Sequence, residues 1–557
     1  MQKPLSEYPR PQLVRESYLS LNGEWEYAIR HTDDIPASFD GKIIVPFSPE
    51  TPASGVNKKL DWKDTLFYRL VFNIDNSFIK DKVILHFTAV DQIADVYFND
   101  CYLGRHVGGY LPFEFDIKPY IQKENTLIVK VKDLTDLNGL SRGKQKTQRG
   151  GIWYTPQSGI YMPVWLESVS NDYVKELIIE PDLDNKKVKI NVISDAEMAT
   201  IHILGKDHII TTNKTHEFLV EDLHEWSPEN PYLYIFSVRT EHDEINSYFA
   251  MRKVSTMMHN GHRVLALNNK PYFMKGILDQ GYYQPSLYTP ESYQDYVDDI
   301  KLIKELGFNT VRKHIKIEAP RWYYECDRQG LLVWQDFING GGQYKFSTIA
   351  FPLITNIHKK DGNYRVFARE DKEYRDFAVQ EFKEIIHYLY NVPSIVLWTI
   401  FNEGWGQFDS AKIYDELKEI DRTRLFDHAS GWHDQGVSDV KSLHVYFKKV
   451  KMPKEKQIKD RAVVLSEFGG YVLPIKGHMQ EGKRTYRSFA NADKWLEAYE
   501  KCINRDVINN IPLGLSASIY TQLSDVEDEL NGFVTFDRQI KKVDPIKVKL
   551  INDRIKF

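Results

Sequence analysis

Two short stretches carry carboxylates where chemistry could use them: IVLWTIFNEGWGQFD at 395–409, with Glu403, and RAVVLSEFGGY at 461–471, with Glu467. Each glutamate closes an apolar β-type run and has glycine directly after it or one residue on, so each carboxylate stands at the end of a buried strand, where its desolvation needs a purpose. Two such groups suit glycoside hydrolysis: one protonated carboxyl helps the leaving oxygen depart, and one ionised carboxylate attacks or stabilises the sugar cation. Either glutamate alone fits a salt bridge or a helix N-terminal charge equally well. The pair is informative only if the fold unites residues this far apart in the chain.

Past His259, β-type runs alternate with helical ones. In ESYQDYVDDIKLIKELG the residues Tyr293, Tyr296, Val297, Ile300, Ile303 and Leu306 recur at helical spacing, and Gly307 ends the run. We read strands at 271–276, 308–314, 331–336, 395–402, 425–430, 442–446, 462–468 and 514–521, with helices clearest at 292–306, 319–329, 370–390, 409–421 and 488–505. This alternation predicts a (β/α)8 TIM barrel over 257–557 rather than an open doubly wound sheet, for which a Gly-rich phosphate loop is missing. The mouth of such a barrel is built from the C-terminal ends of its strands. The candidates are therefore Arg312 and His314 on strand 2, Gln335 and Asp336 on strand 3, Asn402 and Glu403 on strand 4, His444 and Tyr446 on strand 6, and Glu467 on strand 7. Asp279, just after strand 1, is placed in the same mouth. Arg312 would keep Glu467 ionised, since a nearby cation favours the charged carboxylate. Asp336 supports Arg312 or caps the next helix; His314 and His444 contact sugar hydroxyls or serve as structural hydrogen-bonders. Trp398, inside strand 4, is a sugar platform or barrel packing.

Upstream, from Leu21 to about Glu167, the evenly spaced runs GEWEYAI, TLFYRLVF, KVILHFTAV, ADVYFND, NTLIVKVKD and MPVWLE predict an antiparallel β-sandwich over 1–170. VKELIIEPDL, KVKINVIS, MATIHILG and LYIFSVRT predict an immunoglobulin-like sandwich over 171–256. Three domains agree with 557 residues, more than one core usually serves. A net charge of -5 leaves no footprint for nucleic acid or an anionic membrane, and no run approaches the roughly 18 apolar residues of a membrane span. Small or neutral partners are favoured, and homo-oligomerisation is compatible with the composition. Cys101, Cys326 and Cys502 are odd in number and widely spaced, which predicts buried free thiols. The opening MQKPLSEYPRPQLVRESY has no apolar h-region, so a cytoplasmic location is expected. No GxxxxGK[ST] or HExxH occurs, and GLSAS at 514–518 only half resembles a nucleophile elbow. No cofactor is called for, and no metal ligand set.

The sequence resembles glycoside hydrolase family 2, the family of β-galactosidases, β-glucuronidases and β-mannosidases, over nearly its whole length. LNGEWEYAI and SGIYMPVWLE resemble the family's sugar-binding sandwich, YFAMRKV its junction into the barrel, and FNTVRKHIKIEAPRWYYECDRQGLLVWQDF its second and third barrel strands. NEGWG and SEFGG resemble its acid/base and nucleophile motifs. The resemblance implies a retaining exo-β-glycosidase with Glu403 as acid/base, Glu467 as nucleophile, Asn402 on the sugar 2-hydroxyl and Tyr446 beside the nucleophile. The other readings are a β-glucuronidase or another specificity of the family, or a non-catalytic carbohydrate-binding relative. Gly404 and Gly406 would let the backbone turn tightly beside bound sugar. Glucuronidases of the family grip the uronate with an Asn-x-Lys motif beyond strand 8; here Asn531-Gly532-Phe533 stands at that place, which predicts a neutral sugar, a β-galactoside first. Lys541 and Lys542, or His358, Lys359 and Lys360 of the long stretch after strand 3, are the cations that could replace that lysine. That stretch, 339–370, is expected to form a substrate wall or lid. Strand 8 and its sequel lack the Trp-bearing end of the large β-galactosidases, and the chain stops soon after the barrel, so their further C-terminal domains are not expected.

Overall fold

The computed structural model describes residues 3–353, 355, 357–479 and 486–557. Strict alternation builds its first layers. In Asn125–Lys132 the apolar Leu127, Val129 and Val131 turn into the core between lysines and other half-exposed residues. That strand lies within a six-stranded antiparallel sheet, which faces a four-stranded one across a core of Trp25, Tyr68, Phe87 and Phe98. A second sandwich pairs a three-stranded sheet with a four-stranded one, from Val174 to Phe249.

The barrel follows. Its parallel strands are β1 (Met274–Asp279), β2 (Thr310–Lys313), β3 (Leu332–Asp336), β4 (Ile395–Thr399), β5 (Leu425–Asp427), β6 (Val440–Val445), β7 (Ala462–Gly469) and β8 (Leu515–Thr521). They hydrogen-bond in the order β5-β4-β3-β2-β1-β8-β7-β6, so the TIM barrel is closed except between β5 and β6. A hairpin of Val254–His259 and His262–Leu267 floors it, with Leu265, Leu267 and Trp226 packed against the inward residues Met274, Trp334 and Val464. Helices α1 (Tyr293–Glu305) and α2 (Pro320–Gln329) cover the outer face; α1 opens on a capping box of Ser292 and Asp295.

Two one-residue bulges reset which way side chains point. Between β3 and β4 the register jumps from Val333↔Ile395 to Trp334↔Leu397, leaving Val396 as an extra residue. Val396 and Leu397 therefore both face the barrel interior, and Trp398 faces the helices. Between β6 and β7 the pairing jumps from Leu443↔Leu465 to His444↔Glu467, with Ser466 extra.

Some expected boundaries move. The 271–276 strand is observed at Met274–Asp279 because Lys270–Pro271 pairs instead with the floor hairpin. The 425–430 strand stops at Asp427. The 488–505 helix is observed at Ala492–Cys502, capped by the Asn491 side chain, and runs on into a π-turn, Ile503–Val507. Cys326 and Cys502 are buried free thiols, whereas Cys101 is exposed at the start of a hairpin strand, contrary to expectation. Among the described residues no helix is long and apolar enough to cross a membrane.

Candidate active site

Arg312 is the hub. Fully buried at the end of β2, its Nε donates to both oxygens of Asp336 at 2.9 and 3.1 Å, Nη1 to Glu467 Oε1 and to the Ser466 carbonyl at 3.1 Å, and Nη2 to Asn402 Oδ1 at 2.8 Å. Only a guanidinium has enough donors in one rigid plane for such a set. His314 joins through Nδ1, 2.8 Å from Asp336 Oδ2, and burial holds its imidazole down to about 4, so it is neutral near pH 7. Tyr446 donates its hydroxyl to Glu467 Oε2 at 2.6 Å and lies 3.0 Å from Thr521 Oγ1.

The two glutamates are pushed apart in acidity. Burial alone would raise Glu467, but the His444 imidazole, the Arg312 guanidinium and the Tyr446 hydroxyl outweigh it and hold the carboxyl well below the usual range. Burial foremost, with the neighbouring Glu467 charge, pushes Glu403 above the usual range, against its hydrogen bond to His444. One oxygen of each carboxylate and a ring nitrogen of His444 lie within 4.8 Å of one another. That spacing would also suit a metal ion, yet Arg312, 3.1 Å from Glu467, already supplies the positive charge a cation would bring.

A chain of hydrogen bonds assigns the His444 protons. Ser466 Oγ donates to the Leu443 carbonyl and Ser430 Oγ donates to Ser466 Oγ at 3.0 Å, so the single Ser430 proton is committed. His444 Nε2, 2.9 Å from Ser430 Oγ, must then be the donor there. Its Nδ1 faces Glu403 Oε1 at 2.8 Å, within hydrogen-bond reach of the carboxyl.

Glu403 itself sits at φ +50°, in the left-handed region, where a non-glycine residue stores about 1–3 kcal/mol of strain. Bonds from Glu403 N to the Ser430 carbonyl and from Trp405 N to the Asn402 carbonyl, both 2.9 Å, hold it there. A Cβ on Gly404 would meet His433 Cδ2 at 2.5 Å, and one on Gly406 would meet the Gly340 carbonyl at 2.2 Å. Both glycines hold the expected tight turn, at φ +73° and +61°, and a side chain at either would strike a neighbouring loop.

Three expected site residues lie elsewhere: Gln335 turns out to α2, where it accepts from the Tyr323 hydroxyl at 2.7 Å. Trp398 faces the helices because of the β4 bulge; it stacks on Phe337 at 5.6 Å and donates its indole N–H to Asp421, so neither face meets the mouth. Asp279 also points outward, into a buried cluster in which Lys313 bridges it to Glu318 at 2.5 and 2.8 Å. Conversely, the mouth contains residues that the strand-end reading missed. The segment after strand Asn125–Lys132 leaves the first sandwich and lays Lys144, Trp153 and Tyr154 against the barrel; Trp153 lies 5.0 Å from Trp405, and Tyr154 donates to Glu529. The one hint of this was an irregular stretch at 133–158 too long for a sandwich turn. The described parts of the loop after β3 join the segments after β5 and β6: Lys359 N donates to His433 Nδ1, His433 N to His358 Nδ1, and Lys448 Nζ to the Leu353 carbonyl.

Comparison with known proteins agrees with this architecture. The description "Glycosyl hydrolases family 2, TIM barrel domain" matches residues 260–555, "sugar binding domain" of the same family residues 50–167, and "Glycosyl hydrolases family 2" residues 172–252. A β-galactosidase of Thermoanaerobacter pseudethanolicus is 25% identical over 507 residues, covering 83% of this chain and 62% of the relative. A β-glucuronidase of Streptococcus agalactiae is 21% identical over 526 residues, covering 84% of each. The chain spans 62%, 37% and 43% of the length of three β-galactosidases it matches. Among solved structures, a β-D-glucuronidase from Dictyoglomus thermophilum superposes with a TM-score of 0.75 at 17% identity over 98% of both chains. A family 2 β-galacturonidase from Eisenbergiella tayi bound to galacturonate gives 0.71 at 18% identity, over 98% of this chain and 99% of that one; both likenesses speak to fold alone. With the barrel domain matched over more than half its length, this chain belongs to glycosyl hydrolase family 2.

Proposed function

We propose that the protein is a retaining exo-β-glycosidase for terminal neutral β-linked sugars, with a β-galactoside as first choice. One observation carries the reading: two buried carboxyls at one mouth, with oxygens within 4.8 Å, one pushed up and the other held ionised. So short a gap supports a retaining pair, since an inverting pair needs room for a water between the carboxyls. In the first step Glu467 attacks the anomeric carbon while Glu403 gives its proton to the departing oxygen, so the glycosidic C–O bond breaks as the glycosyl-Glu467 ester forms. In the second, Glu403, now ionised, takes a proton from water, and the hydroxide displaces Glu467 with net retention. Arg312 and Tyr446 stabilise the carboxylate before attack and after release. Among the described residues Asn402 Nδ2 is buried without a partner, as a donor reserved for a sugar hydroxyl would be.

The charge balance of the mouth supports a neutral sugar. Arg312 is engaged by Asp336 and Glu467, Lys144 faces Glu529 at 3.6 Å, and Arg149 faces Glu527 and Asp528. Three of the cations proposed as substitutes are committed too: Lys541 pairs with Glu305 on the surface, Lys542 with Asp525 in the interior, and Lys359 Nζ binds the Ser347 carbonyl. Phe533 packs among Tyr520, Trp495 and Tyr499, behind the barrel. Among the described residues the cations of the mouth thus already face carboxylates, and a uronate desolvated there without a partner of its own would cost several kcal/mol. Galactose, as against other neutral sugars, rests on the names of the sequence relatives. The test compares nitrophenyl β-galactoside with the β-glucuronide: a higher kcat/KM for the galactoside is expected, and the reverse order overturns the neutral reading.

A further inference from the structure

Lys144 comes from the first sandwich, yet its side chain is only 7% exposed and ends at the barrel mouth. Its ammonium lies over the rings of Tyr154 and Trp405, at 5.2 and 5.7 Å, and 3.6 Å from Glu529 Oε2. Among the described residues it makes no hydrogen bond, and an ammonium carries three donors, so all three are left for ligand or solvent. Beside it, the Trp405 indole N–H is buried and also has no partner. Glu529, 1% exposed on the loop after β8, is held by the Tyr154 hydroxyl. A cation, an anion and an indole donor with unused capacity thus converge at the mouth that holds Glu403, whose acidity the Lys144 charge also touches.

We propose that Lys144 and Glu529 form a two-domain clamp for a pair of neighbouring sugar hydroxyls, with Lys144 donating to one oxygen and Glu529 accepting from the other. This rests on the glycosidase reading and narrows it. The clamp wants a sugar with two free hydroxyls at that place, and it disfavours a carboxylate, which Glu529 would repel. It also gives the sandwich a part in choosing the substrate. Lys144 and Glu529 are binding residues here, with no proton to move.

The test is binding, read by calorimetry and by Trp153/Trp405 fluorescence, for methyl β-galactoside, β-glucoside and β-mannoside and for the singly deoxygenated forms of whichever binds best. Wild type, Lys144→Met and Glu529→Gln are compared, with thermal melts to show that each is folded. Loss of one charge-assisted hydrogen bond should weaken the parent glycoside about tenfold to a hundredfold in either variant. One deoxy sugar should show a similar loss on wild type and no additional loss on Lys144→Met, a coupling that a merely structural lysine would not produce. Full deoxy penalties retained in folded variants, parent binding unchanged in them, or no binding of any of the three glycosides to wild type would overturn the clamp. Hydrolysis is assayed in parallel. A wild type that binds through Lys144 but cleaves none of the nitrophenyl glycosides sinks the catalytic reading and leaves the clamp standing, whereas active variants with unchanged affinity sink the clamp alone.

Discussion

Replacing Tyr446 by phenylalanine removes one oxygen and keeps the ring, so it isolates a single hydrogen bond to the proposed nucleophile. That bond is 2.6 Å long, buried, and aimed at Glu467 Oε2. A hydrogen bond to a charged acceptor contributes about 1.5–3 kcal/mol. At about 1.36 kcal/mol per unit, its loss should raise the Glu467 pKa by about 1–2 units. Attack needs the ionised carboxylate, and the wild-type group is depressed, so activity is full above its pKa and lost as pH falls through it. Raising that pKa moves the acid limb of kcat/KM upward by the same about 1–2 units. The alkaline limb reports the proton on Glu403 and should move little. The assay is a profile from about pH 2 to 9 at constant ionic strength, with the nitrophenyl glycoside turned over fastest and a melting curve for each protein. An unmoved acid limb in a folded, active Tyr446→Phe protein, or a shift confined to the alkaline limb, would refute this account of how Glu467 is kept ionised.

Other outcomes follow from the same geometry. Glu467→Ala should abolish turnover of every substrate, whereas Glu403→Ala should spare glycosides whose leaving group needs little protonation and should be partly rescued by azide; equal losses on activated and natural glycosides would contradict the roles. The first-formed sugar, followed by NMR, should keep the β configuration, and an α product would contradict the double displacement. In the sandwich, Ser158 has one hydroxyl proton for two carboxylates, Glu50 and Asp133, both at 2.9 Å, and burial pushes Glu50 up to about 8. A raised acid contributes stability that is complete below its unfolded pKa and is lost as pH rises through the folded one. Urea unfolding of Glu50→Gln should therefore lack part of the wild-type decline between about pH 5 and 8 and leave the variant about 1–2 kcal/mol more stable at the upper end. Parallel wild-type and variant curves would count against a protonated Glu50.

What the chain of residues determined by itself is local. Apolar periods of two and of about 3.6 residues are written in consecutive positions, so the alternation of strands with helices past His259, and with it the barrel, could be read directly. The strand ends came with it, and so did Arg312, Asp336, Asn402, His444, Tyr446 and the two glutamates as one group, because a barrel gathers strand ends whatever lies between them. The direction a side chain takes at a strand end is a different matter. It depends on register against a neighbouring strand, and one extra residue reverses it. Val396 sends Trp398 to the helices, and Ser466 turns Glu467 into the mouth, where strict alternation after the inward Val464 would have sent it out. Nothing within β4 or β7 announces either bulge. Lys144 and Trp153 show the other limit: they reach Trp405 and Glu529 from a separate domain, across more than 200 positions, on a segment with no periodicity to read. Only the packing of sandwich against barrel brings that ammonium into the mouth, because no local period in the chain encodes a contact between two separately folded layers.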